Sequence, residues 1–147
     1  DREHGLREAL RDANMTLFAH GNGQYKQEAA GIATRTIMSG RAKPDALVVA
    51  SDHRAFAVID TLRYQLGVDV PNQISVVGFD DVPQAAWPAY QLTTVAQSVS
   101  KMVQATVDLL LRSSAQDPSV SRNVVVGCEL VERGSVAQRA SAKRGGR

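Results

Sequence analysis

Several things are scarce in this 147-residue sequence, and each scarcity removes a class of answers. A single cysteine, Cys128, excludes a disulfide within the chain. It follows the apolar run Val124-Val125-Val126-Gly127, so it is expected to be a small buried hydrophobe, consistent with a reducing compartment. No stretch approaches the roughly 18 consecutive apolar residues of a membrane span. No charged-then-apolar leader opens the chain; its first residues read as the interior of a helix, and the natural start is expected to lie elsewhere. His4, His20 and His53 have no metal-ligand spacing, and no base–nucleophile pair is evident. Gly21-Asn22-Gly23 is too short for a phosphate-cradling loop. The sequence therefore argues against an enzyme, a metal site and a cofactor. It contains no internal repeat.

What is present suits a globular domain with a real core: 44% of residues are hydrophobic and 22% charged. The net charge of +2 is unevenly spread. Arg133, Arg139, Lys143, Arg144 and Arg147 close the chain with no acid after Arg133, so the remainder is net acidic and no nucleic-acid surface. Residues 137–147, basic and rich in Gly, Ser and Ala, read as a disordered tail.

Along the chain, helical spacing of Leu6, Ala9 and Leu10 predicts a helix over Arg2 to Ala13. A short strand follows at Met15 to Ala19, then a helix over Tyr25 to Ser39. Ala46 to Ala50 has no polar interruption and predicts a strand covered on both faces. Ser51-Asp52 offers an N-cap to a helix over Arg54 to Gln65 that ends at Gly67. The alternation predicts an α/β domain with a parallel sheet, and a further strand before Asp1.

The most informative string is Ile74-Ser75-Val76-Val77-Gly78-Phe79-Asp80-Asp81. It predicts a buried strand that stops at two carboxylates, and ligands of open α/β sheets sit at the carboxyl ends of strands. After an irregular stretch with Pro83 and Pro88 come a strand at Leu92 to Val95 and a helix over Val99 to Arg112. That helix has an apolar stripe of Met102, Val103, Val107 and Leu110. A last strand is predicted at Asn123 to Val131.

Arg2-x-x-Gly5, Pro44-Asp45-Ala46, Ser51-Asp52, Val70-Pro71, Val77-Gly78-Phe79-Asp80-Asp81, Leu92-Thr93-Thr94-Val95-x-Gln97 and Glu129-Leu130-Val131-x-Arg133-x-Ser135 follow in that order. Together they resemble the effector-binding domain of LacI/GalR-family transcriptional regulators, a fold shared with type I periplasmic sugar-binding proteins. The resemblance covers residues 1–136 and implies a partial domain. Residues 1–90 and 122–136 would form most of a C-terminal subdomain, and 91–121 a strand and helix of the N-terminal one. It further implies a cytoplasmic homodimer that uses the surface around the helix after Ser51-Asp52. A small-molecule effector, by default a sugar, would bind between the subdomains. Operator DNA would be reached only through a helix-turn-helix that this chain lacks. A periplasmic sugar-binding protein of a transporter is the second reading, and a phosphoacceptor receiver with an acidic Mg²⁺ site the third. The third fits poorly, because receivers carry their acid pair after the first strand.

The resemblance also marks ligand candidates. Asp80 matches the family's ligand acid, and its carboxylate can accept two hydroxyl hydrogen bonds; otherwise it caps the next turn. Arg2 matches the ligand arginine and could pair with Asp80. Tyr25 falls where an aromatic often stacks on ligand. Ser51 replaces the family's usual Asn and loses an amide that both donates and accepts. Asp81 is read as a loop cap or interdomain partner, Asp52 as a helix cap, Gln97 as lying near the crossing between subdomains, and Trp87 as a gate or a core anchor.

Overall fold

A computed structural model describes residues 2–22, 26–113 and 123–138. Four strands form one sheet in the order β1 (Ala46–Val48), β2 (Ser75–Asp80), β3 (Thr93–Gln97), β4 (Cys128–Val131). The first three run parallel, with Leu47 opposite Val76 and Gly78 opposite Thr94. β4 is antiparallel to β3, so the sheet is parallel only in its first three strands. The strand expected at Leu92 to Val95 is thus a full member of this sheet, with Leu92, Thr93 and Thr94 buried in it.

Helix α3 (Asp52–Asp60) packs on one face of the sheet, against β2, and α2 (Gln27–Met38) packs in turn on α3. Val76 and Gly78 point to that side and are buried, while Ser75, Val77 and Phe79 are only half-buried, the alternation expected of a strand. The core consists mainly of Ala55, Phe56, Val58, Ile59 and Leu62 from the α3 segment, with Ile74, Val76 and Leu92 from the sheet side. α3 ends in a π-helical turn, Thr61–Gln65, closed by a Leu66 N–H bond to the Thr61 carbonyl. Gly67 then takes φ +64, which reverses the chain at no steric cost.

Helix α1 (Arg2–Asp12) buries none of its residues. Helix α4 (Val99–Ser113) carries its apolar stripe exposed, with Leu110 at 67% and Leu111 at 68%.

Several expectations need correction. Met15 to Ala19 forms no strand, and Met15 and Phe18 are exposed: the Met15 N–H closes the end of α1 on the Leu10 carbonyl, and among the described residues no strand lies beside this segment. β1 stops at Val48 and has one open face, since Leu47 and Val49 pack on the core while Ala46 and Val48 are exposed. Cys128 is exposed, because β4 is an outer strand of the sheet and starts at that residue rather than at Asn123. Most of the loop expected between α4 and β4, and the tail from Arg139 on, lie outside the described residues.

Candidate functional site

The carboxyl ends of β2 and β3 gather the polar side chains. At the end of β2 the backbone leaves strand geometry: Asp80 has φ +124 and Asp81 φ +55. Non-glycine residues pay for such angles and keep them where neighbouring contacts over-determine the shape, often at ligand sites. Four hydrogen bonds made by two side chains, Arg133 and Asp52, hold this region. Arg133 Nη2 donates to Asp81 Oδ1 at 2.7 Å while its Nη1 donates to the Leu92 carbonyl at 2.8 Å. Asp52, fully buried, accepts the Val82 N–H at 3.0 Å just past the strained pair. Its other oxygen accepts the Thr94 hydroxyl at 2.6 Å.

Asp52 is therefore no helix cap. It opens α3, but its oxygens accept from Thr94 on β3 and from the turn after β2, and the preceding Ser51 makes no side-chain cap bond either. Ser51 Oγ instead accepts from Arg54 Nε at 3.0 Å. Gly78 must be glycine for the same reason: a Cβ there would sit 2.2 Å from Asp52 Oδ1 and 2.8 Å from Leu92 Cδ2.

Held this way, Asp80 meets two donors on one oxygen. Arg2 Nη2 donates to Asp80 Oδ1 at 3.1 Å, and Gln97 Nε2 donates to the same atom at 2.8 Å. Arg2 Nη1 also donates to the Ala50 carbonyl, at the end of the β1 segment beside Ser51. The guanidinium carbon lies 3.9 Å from the centre of the Phe79 ring. Arg2 and Asp80 remain partly exposed, at 41% and 29% of their side chains. The cluster combines one cation, one anion and a carboxamide, so its charge balances while donors and acceptors stay within reach of solvent.

Of the residues predicted from sequence, Arg2 and Asp80 come together and Ser51 lies next to the Ala50 carbonyl that Arg2 grips. Tyr25 lies outside the described residues. Gln97 donates directly to Asp80, a contact its position near the subdomain crossing does not by itself predict. Asp81 is the partner of Arg133, whose motif is structural. Ser135, fully buried, donates to the Val76 carbonyl at 2.6 Å and accepts the Thr93 N–H at 2.8 Å, pinning the last turn across β2 and β3.

Trp87 is elsewhere. It is 53% exposed and helps line a depression of about 310 Å³ with His53, Phe56, Asp60, Gln84 and Tyr90. Tyr90 stacks on Phe56 at 4.4 Å between ring centres and donates to Asp60 at 3.3 Å. Burial, then the Asp60 charge and hydrogen bond, push the Tyr90 phenol above its ordinary range. At α1, the hydrogen bond from Arg7, then the His20 charge, hold the Glu3 carboxyl below its ordinary range.

Among the described residues no three His, Cys, Asp or Glu side chains are grouped to hold a metal ion, and no helix is long and apolar enough to cross a membrane.

The chain is similar in sequence and fold to known proteins. The family model described as periplasmic binding protein-like domain matches residues 1–136. The HTH-type transcriptional regulator MalR of Streptomyces coelicolor is 46% identical over 100 residues, covering 68% of this chain and 28% of the regulator. The HTH-type transcriptional repressor PurR of Yersinia enterocolitica is 32% identical over 141 residues, covering 92% of this chain and 40% of the repressor. Among solved structures, the lac repressor dimer bound to operator and the anti-inducer ONPF matches with a TM-score of 0.85 at 26% identity, covering 93% of this chain and 47% of that one. A LacI transcriptional regulator from a Rhodococcus species matches at 0.77 and 30% identity, covering 92% and 50%. This chain spans half or less of each of these proteins, and it belongs to the periplasmic-binding-protein-like domain family, in the branch of the LacI-type regulators.

Proposed function

We propose that this chain is part of the effector-sensing domain of a LacI-type transcriptional regulator, with a small neutral polyhydroxy molecule, a sugar by default, as effector. The observation that carries the proposal is the Arg2–Asp80–Gln97 cluster at the carboxyl ends of β2 and β3, mounted on a strained backbone. A carboxylate flanked by a guanidinium and a carboxamide suits hydroxyl groups, which both donate and accept. Its balanced charge gives no reason to prefer an anion or a cation. Ser51 and Tyr25 complete the proposed ligand-binding set with Arg2 and Asp80.

In this reading residues 1–90 and 122–136 belong to one subdomain. The segment 91–121 would belong to the other subdomain; the pairing of β3 with β2 and β4 supports counting 91–97 with the first subdomain and starting the second at Ser98, which would put α4 across the cleft. Gln97 is then the last residue before the crossing. An effector that favours one arrangement of the subdomains would shift their equilibrium by its difference in affinity for the two. That shift would alter how two copies present their DNA-reading modules to operator half-sites. The homodimer would form over the surface around α3, where His53 and the Trp87–Tyr90 loop lie. The protein would work in the cytoplasm, without catalysis and without a cofactor.

The test is a thermal-shift screen of the full-length regulator with glucose, galactose, maltose and sucrose, and with hypoxanthine and guanine for a purine-like effector. At least one sugar should raise the melting temperature of the wild type and leave Asp80→Ala unmoved. A compound that stabilises both equally would remove Asp80 from the site. The transporter reading has no observation of its own here, since the relatives compared are HTH-type regulators.

A further inference from the structure

An arginine at the first position of an unburied helix is a poor ligand group unless something fixes its plane. Its side chain has many rotamers, and ordering them at the moment of binding weakens the ligand. We propose that Phe79 is the positioning residue for Arg2: its ring face carries the guanidinium and sets the plane in which Arg2 faces Asp80 and the pocket. What this hold serves rests on the effector-site reading above; the hold itself does not.

Three observations support it. First, the Arg2 guanidinium carbon lies 3.9 Å from the Phe79 ring centre, well within cation–π range. Second, the two hydrogen bonds of Arg2, to the Ala50 carbonyl and to Asp80 Oδ1, both run from its terminal nitrogens. They fix the direction of the guanidinium edge, and the ring fixes its tilt. Third, Phe79 is not a core residue. It is half-buried, lies on the β2 face away from Val76 and Gly78, and is absent from the side chains that pack against the hydrophobic cluster. An aromatic ring at the end of a strand that does not fill the core is available as a platform. In a regular strand Phe79 and Asp80 would project to opposite faces. The φ of +124 at Asp80 breaks that alternation where one guanidinium touches both.

The test follows Arg2 itself, by NMR of the arginine side chains in this chain without ligand. In the wild type the Arg2 δ-protons should show an upfield ring-current shift and slowed rotation about the Nε–Cζ bond. Phe79→Leu keeps apolar volume but removes the ring: the shift should vanish and rotation should speed up about two- to fivefold, the equivalent of a partly exposed cation–π contact. Thermal melting should stay near wild type. Phe79→Tyr should restore both Arg2 signatures, which a merely space-filling role would not require. Arg2 signals in the wild type without ring-current shift would overturn the proposal without any variant having to fold. So would rotation unchanged by Phe79→Leu, or failure of Phe79→Tyr to restore it. Sugars do not enter this test, so a failed sugar screen would leave the stack standing, and a failed stack would leave the screen standing.

Discussion

Asp52 is the residue on which the shape of the site depends most. It is fully buried and accepts one bond from the backbone after Asp81 and one from Thr94 on the neighbouring strand. Replacing it by alanine leaves the partly buried Val82 N–H and the buried Thr94 hydroxyl without their acceptor, at a cost of about 2–4 kcal/mol. Urea unfolding of Asp52→Ala should report that loss. Gly78→Ala drives a Cβ into the same carboxylate and into Leu92, and should cost about 3 kcal/mol by the same measurement. Tyr90 gives a pH prediction. Its phenol is raised from the ordinary 10.0 by burial and by Asp60, so the folded state keeps the proton to higher pH than the unfolded chain. Its contribution to stability is therefore complete below about pH 10 and is lost as pH rises through the folded value. Absorbance titration near 295 nm should show one phenol ionising above the unfolded tyrosine range, and Tyr90→Phe should remove it.

Among the elements, α4 has the most consequential surface. Val99, Met102, Val103, Val107, Leu110 and Leu111 are all exposed on it. Covering each large apolar side chain is worth about 1.5–3 kcal/mol, so the stripe favours association of the isolated chain. Sedimentation velocity should detect self-association, and Leu110→Glu combined with Val107→Lys should shift the chain toward the monomer. A wild-type chain monomeric at high concentration would contradict this. The helix was legible because apolar spacing is a local property. The strand expected at Met15 to Ala19 was not, because a strand is a property of a pair, and an apolar run does not name its partner. The same limit hid Asp52. An acid at a helix start reads locally as a cap, whereas its partner Thr94 lies 42 positions away. The pairing of Arg2 with Asp80 was anticipated only through the family resemblance, since 78 positions separate the two.

At the scale of the whole molecule, the chain spans 47–50% of the lac repressor and Rhodococcus regulator structures. α3 packs on one face of its sheet with α2 behind it, while alternate residues of β1 and the apolar stripe of α4 are exposed. The proposed function rests on one claim: the carboxyl ends of β2 and β3 would form the wall of an effector cleft with Asp80 as its acceptor. Calorimetric titration of the full-length regulator with the sugar that most raises its melting temperature tests that claim most directly, run in parallel on wild type and Asp80→Ala. The account predicts saturable binding by the wild type and at least about a tenfold loss of affinity in the variant, since truncating a charged hydrogen-bonding group costs about 1.5–3 kcal/mol. Equal affinity in the two proteins would contradict it.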